Sequence, residues 1–144
     1  MPKASCLSAV AFFLLSFLTV IAAPSGRFFI EGDGKIYLVN KKTGAGGPVT
    51  YRTPRGEYPE SAQRRINQIF GVPSNASEGI AIRLTALLDY LQDQLKGGTI
   101  KILSGYRSPT YNEGLRKKGR LAARTSMHLE GMAADIEMEG VEGK

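Results

Sequence analysis

At 144 residues the chain has room for one domain, and 19 Lys and Arg against 13 Asp and Glu give it a net charge of +6. Its single cysteine, Cys6, lies ahead of an apolar run near the N-terminus, so once that run is removed neither a disulfide scaffold nor thiolate chemistry is open to the chain. The fold must rest on a packed core, which the remaining residues are just numerous enough to build.

Residues 1–23 read as an export signal: Lys3 supplies a positive start, Leu7 to Ile21 is almost wholly apolar, and Ala22-Ala23 offers a small-residue cleavage site. A retained membrane anchor is the competing reading. Against it, the run is near the lower length limit for a span, no basic stop-transfer cluster follows, and Pro24-Ser25-Gly26 looks like a released terminus. The expected organisation is a signal over 1–23 and one domain over 24–144, delivered to the periplasm, cell wall or exterior without a stable membrane anchor.

Phe28-Phe29-Ile30 and Ile36-Tyr37-Leu38-Val39 flank Gly32-Asp33-Gly34, a pattern that predicts a β-hairpin. Asn40 to Gly44 is a further turn, and Val49-Thr50-Tyr51 a third short strand. From Pro59 the period becomes helical: Ala62, Ile66, Ile69 and Phe70 mark one face, Pro59-Glu60 suit a start, and Gly71 an end. Ile80, Leu84, Leu87, Leu88, Leu91 and Leu95 define the core-facing stripe of a second helix stopped by Gly97-Gly98. Thr99 to Leu103 predicts a strand, Pro109 opens a short helix to Lys117, and Met132 to Met138 predicts a final strand. Grouped helices between a few strands imply an α+β domain, with helices packed on a small antiparallel sheet.

Chemistry concentrates between Ser104 and Asp135. In Ser126-Met127-His128-Leu129-Glu130-Gly131-Met132-Ala133-Ala134-Asp135, a His and an Asp seven positions apart converge only if the backbone bends sharply, which Gly131 allows. Ala133 and Asp135, on one face of a strand, would leave space beside the carboxylate for an ion. Imidazole and carboxylate together suit zinc, whose catalytic sites commonly take three protein ligands. A lone His is more often a core or surface residue than a ligand; the full S-x-H-x-x-G-x-A-x-D pattern is far more specific.

That segment resembles the first zinc-ligand motif of the D-alanyl-D-alanine carboxypeptidase and murein endopeptidase family, which is related in fold to hedgehog and lysostaphin-type peptidases. The flanking S-G-Y-R-S-P-T-Y-N-E-G-L-R and G-R-L-A-A-R-T-S look like its YcbK-like branch, and the resemblance is strongest from Ile80 to Val141. It implies a zinc metallopeptidase, a murein endopeptidase or a D,D- or L,D-carboxypeptidase, with Zn2+ held by His128 and Asp135. By the same resemblance, Arg107 and Ser126 line the substrate cleft and hold a peptide carbonyl or carboxylate. A guanidinium can pair bidentately with the carboxylates of wall peptides. The structural alternatives are a salt bridge from Arg107 to Glu113 and a cap by Ser126 for the turn before His128.

The family's third zinc ligand is a His late in the domain, with the general base or a polarising residue near it. This sequence has one histidine and ends at Lys144, so the domain is expected to be incomplete at its C-terminus, with the base beyond Lys144. Glu137, on the face of Asp135, is a poorly angled substitute ligand. The alternative function is a non-catalytic module that kept the cleft and binds the wall or another anionic polymer. Lys101, Arg107, Arg116, Lys117, Lys118, Arg120 and Arg124 would serve it, although a solvated basic face accounts for the same charges. The expected partner is peptidoglycan peptide, not nucleic acid.

Overall fold

The computed structural model describes residues 30–142 apart from residue 121. The expected export signal, Phe28-Phe29 and Lys144 lie outside the described residues. Seven elements follow in order: β1 (Lys35–Asn40), β2 (Gly46–Thr50), α1 (Glu60–Phe70), α2 (Ile82–Gln94), β3 (Ile100–Ser104), α3 (Pro109–Lys117) and β4 (Asp135–Met138).

Alternation dictates the first strand: Ile36 and Leu38 are buried while Lys35 and Tyr37 face out, so only one sheet face needs a cover. The hairpin partner is β2, paired antiparallel from Lys35 opposite Thr50 to Val39 opposite Gly46, with Pro48 opposite Tyr37. The turn at residues 40–45 is held by Asn40, whose side-chain oxygen accepts the N–H groups of Lys42 and Thr43. Of the hairpin expected around Gly32-Asp33-Gly34, the described part, Ile30 to Gly34, carries no strand. Gly34 N–H instead reaches across to Asp89 on α2, at 2.9 Å.

The four strands lie in the order β2-β1-β3-β4. β3 runs parallel to β1, with Leu38 opposite Ile100, and β4 runs antiparallel to β3, with Ile100 opposite Met138. The sheet is therefore mixed, where an antiparallel one was expected. A hairpin alone would have continued antiparallel; α1 and α2 instead form the long crossover that a parallel neighbour requires. Where β3 has not yet begun, Gln92 substitutes for it: its side chain accepts the Tyr37 N–H and donates to the carbonyls of Tyr37 and Gly98.

α1 matches its expected limits, buries Ala62, Ile66, Ile69 and Phe70, and ends at Gly71 with φ 80°. α2 keeps most of its expected core stripe but is turned somewhat from it. Ile80 and Leu88 are buried and Leu84 and Leu91 pack against the core as expected, but Leu87 and Leu95 are 40% and 51% exposed, while Thr85 and Asp89 are 1% and 0% exposed. The Asp89 carboxylate turns the helix inward by accepting Gly34 N–H and, at 2.8 Å, the Tyr51 hydroxyl. Burial pushes this carboxyl above the ordinary carboxylate range; the Tyr51 and Gly34 hydrogen bonds oppose that, and the Asp93 and Asp33 charges reinforce it. Ile36, Leu38, Ile66, Ile69, Phe70, Ile100 and Ile102 form the centre of the core between α1, α2 and the sheet.

Candidate active site

The candidate site is built at the β3/β4 end of the sheet by three chain segments. α3 follows β3 directly, with Pro109 in its first turn and the Ser108 hydroxyl accepting Tyr111 N–H. Buried Asn112 donates to the Ala123 carbonyl at 3.0 Å, tying the segment that leads to Ser126 back onto α3. Ser126 then opens a tight turn, its carbonyl accepting Leu129 N–H at 2.9 Å, while Met127 accepts the N–H groups of Glu130 and Met132.

Gly131 closes this turn at φ 63°, a conformation that L side chains adopt at a cost. Its carbonyl accepts Ala81 N–H at 3.0 Å, and a Cβ at Gly131 would meet the Gly79 carbonyl. The turn is thus seated against the entry to α2. The expected strand from Met132 is shorter, starting only at Asp135. Ala133 consequently precedes the strand and does not share a strand face with Asp135. A register irregularity between Ile102 and Ser104 sets Asp135 opposite Ser104, the local twist that bulges introduce beside functional sites.

This framework brings His128 and Asp135 together. His128 is 8% exposed, and its Nδ1 lies 2.8 Å from the Gly105 carbonyl. A carbonyl can only accept, so Nδ1 donates, and in the neutral imidazole this leaves the lone pair on Nε2. That Nε2 lies 3.7 Å from Asp135 Oδ1. Two donors about 2.1 Å from one zinc ion at the tetrahedral angle lie roughly 3.4 Å apart, so the pair fits as two ligands of one ion. Among the described residues no third His, Cys, Asp or Glu completes a group with them; the one group of three is Asp33, Asp89 and Asp93.

Arg107 is drawn into the same cluster. Its Nη2 is 3.1 Å from Asp135 Oδ2, its Nε donates to Ser104 Oγ at 3.2 Å, and its backbone N–H donates to the His128 carbonyl at 3.0 Å. The alternative Arg107–Glu113 bridge is not formed; Glu113 pairs with Arg116 at 2.7 Å. Ser126 is half-buried at the head of the turn, where its carbonyl takes the Leu129 N–H. Glu137, weighed as a substitute ligand, is turned to Lys41 at 2.9 Å and Lys101 at 3.9 Å. Those two cations hold its carboxyl below the ordinary carboxylate range. Lys101, Arg107 and Arg116 of the basic excess are therefore engaged with carboxylates.

Motif spacing did not reveal the Gly105 carbonyl that fixes the His128 tautomer or the Ser104 hydroxyl that braces Arg107. Backbone acceptors leave no compositional signal, and Ser104 faces the site only because of the β3/β4 irregularity.

The architecture is an α+β domain with a four-stranded mixed sheet, and it sets an imidazole beside a carboxylate at one end of that sheet. A family model described as peptidoglycan L,D-endopeptidase MepK matches residues 32–144. The chain belongs to this family, within the D-Ala-D-Ala carboxypeptidase and murein endopeptidase group that its motifs resemble. No curated protein and no solved structure matches it.

Proposed function

We propose that the chain belongs to an exported, zinc-dependent peptidase that hydrolyses bonds in the stem or cross-link peptides of peptidoglycan, with His128 and Asp135 as two of its three protein metal ligands. One observation carries this reading: His128, with its Nδ1 on the Gly105 carbonyl at 2.8 Å, turns Nε2 toward the Asp135 carboxylate at 3.7 Å. The family description favours L,D bonds as the ones cut. Zinc held there would polarise a scissile carbonyl and supply a water of lowered pKa. The chain's own residues do the positioning. Gly105 keeps the imidazole in one tautomer, and Arg107 keeps one Asp135 oxygen turned away so that the other faces His128. Arg107 also brings positive charge to a site that would receive peptide carboxylates, and Ser126 is assigned to contact the peptide beside the turn.

The test is digestion of purified peptidoglycan by zinc-loaded residues 24–144, with released peptides sequenced by mass spectrometry. New termini at one bond type are expected. A zinc-loaded chain that leaves the wall uncut yet sediments with it would replace the enzyme reading with the wall-binding module.

Arg107→Lys tests the positioning role. Lys keeps the charge but cannot reach Ser104 and Asp135 together in a planar fork. Zinc affinity, measured by competition with a chelating dye, is expected to fall about 10- to 100-fold, as for the loss of other groups that orient ligands. Unchanged affinity would confine Arg107 to substrate contact.

A further inference from the structure

We propose that Asp33, Asp89 and Asp93 form a site for a hard divalent cation of the calcium class, which ties the segment before β1 to α2. One carboxylate oxygen from each residue lies within 4.8 Å of the others. Asp89 and Asp93 are one helical turn apart on α2, and Asp33 is fixed over them by its own N–H, which donates to Asp93 Oδ2 at 2.8 Å. Clusters of exposed acids are common without a ligand; the central member here is different. Asp89 is 0% exposed. Both of its donors, Gly34 N–H and Tyr51 O–H, go to Oδ2, while the buried Oδ1 has no hydrogen-bond partner among the described residues.

A buried carboxylate oxygen without a donor, beside two further carboxylates, is costly unless a positive charge meets it. Arg52, the nearby cation, ion-pairs with Glu31 at 3.4 Å and donates to the Gly32 carbonyl, while its buried Nε, like Asp89 Oδ1, has no hydrogen-bond partner among the described residues. Asp33 and Asp93 are exposed, so solvent can complete the six to eight oxygen ligands that calcium takes. Three carboxylates with water favour weak binding, on the order of 10⁻⁴ to 10⁻³ M. Gly32 contributes by having no side chain, since a Cβ there would strike the Asp89 carboxyl group.

The inference is independent of the peptidase reading, and its test separates the two. Terbium(III), a calcium-sized hard cation, emits when excited through an adjacent tyrosine. The chain has six Tyr and no Trp, and Tyr51 is hydrogen-bonded to the proposed ligand Asp89. Titration of terbium chloride into residues 24–144 is expected to give tyrosine-excited emission that calcium chloride displaces. Asp93→Asn and Asp33→Asn change exposed side chains and should weaken calcium binding about tenfold or more each. Tyr51→Phe should remove the emission while leaving calcium heats in calorimetry, and His128→Ala should leave both intact. Absence of calcium-displaceable emission, or emission unaffected by Asp93→Asn and Asp33→Asn, overturns the site.

Discussion

His128→Ala is expected to abolish zinc retention and to lower peptidoglycan hydrolysis by about 10³-fold or more, a loss of several kcal/mol of transition-state stabilisation. The imidazole offers one free nitrogen, and its other nitrogen is spent on the Gly105 carbonyl, so no second group on the residue can compensate. Structural damage should be small by comparison: removing the ring costs one buried hydrogen bond of roughly 0.5–1.5 kcal/mol and a partly lined gap. The comparison to make is zinc content by atomic emission alongside thermal unfolding. A folded His128→Ala chain that still carries stoichiometric zinc and still cuts the wall would remove the metal assignment. Asp135→Asn should reproduce the zinc loss and also release Arg107, which then has Ser104 as its remaining side-chain partner at the site.

Gly131→Ala is expected to destabilise the domain by about 2–5 kcal/mol and to cut zinc affinity at the same time. Two costs add: a non-glycine residue held at φ 63° costs about 1–2 kcal/mol, and the new methyl group forces the turn away from the Gly79 backbone, an overpacking cost of about 1–3 kcal/mol. Gly71→Ala supplies the control. Gly71 has φ 80°, and a methyl group added to it would meet nothing within 4 Å, so only the conformational cost of about 1–2 kcal/mol applies and zinc affinity should be unchanged. Urea unfolding of both variants measures the difference. Equal destabilisation, with zinc binding intact in each, would show that the turn is not seated by its contact with Gly79.

Much of the site was legible because its pattern is local. A glycine at the bend, an imidazole and a carboxylate at fixed spacing belong to one ten-residue segment, and the structure sets His128 Nε2 3.7 Å from Asp135. α1 was legible for a related reason: Ala62, Ile66, Ile69 and Phe70 are all buried, and both ends carry the expected signals. α2 misled because it has apolar residues on more than one side. Its rotation is decided by a polar contact, Asp89 to Gly34 and Tyr51, between residues 38 or more positions apart. The Gly32-Asp33-Gly34 stretch likewise had the composition of a hairpin turn, and tertiary hydrogen bonds used it otherwise. For Glu137, strand spacing said nothing of Lys41, which the parallel β1/β3 pairing brings beside it.

The outer position of β2 has a further consequence. With Pro48 in the middle of this five-residue strand, one amide hydrogen is missing from the rim, and Gly46 and Gly47 add no side chains that could stack against a newcomer. Such a rim is a poor template for a second molecule to extend. The end of the sheet that no described strand covers is therefore guarded against seeding intermolecular aggregation.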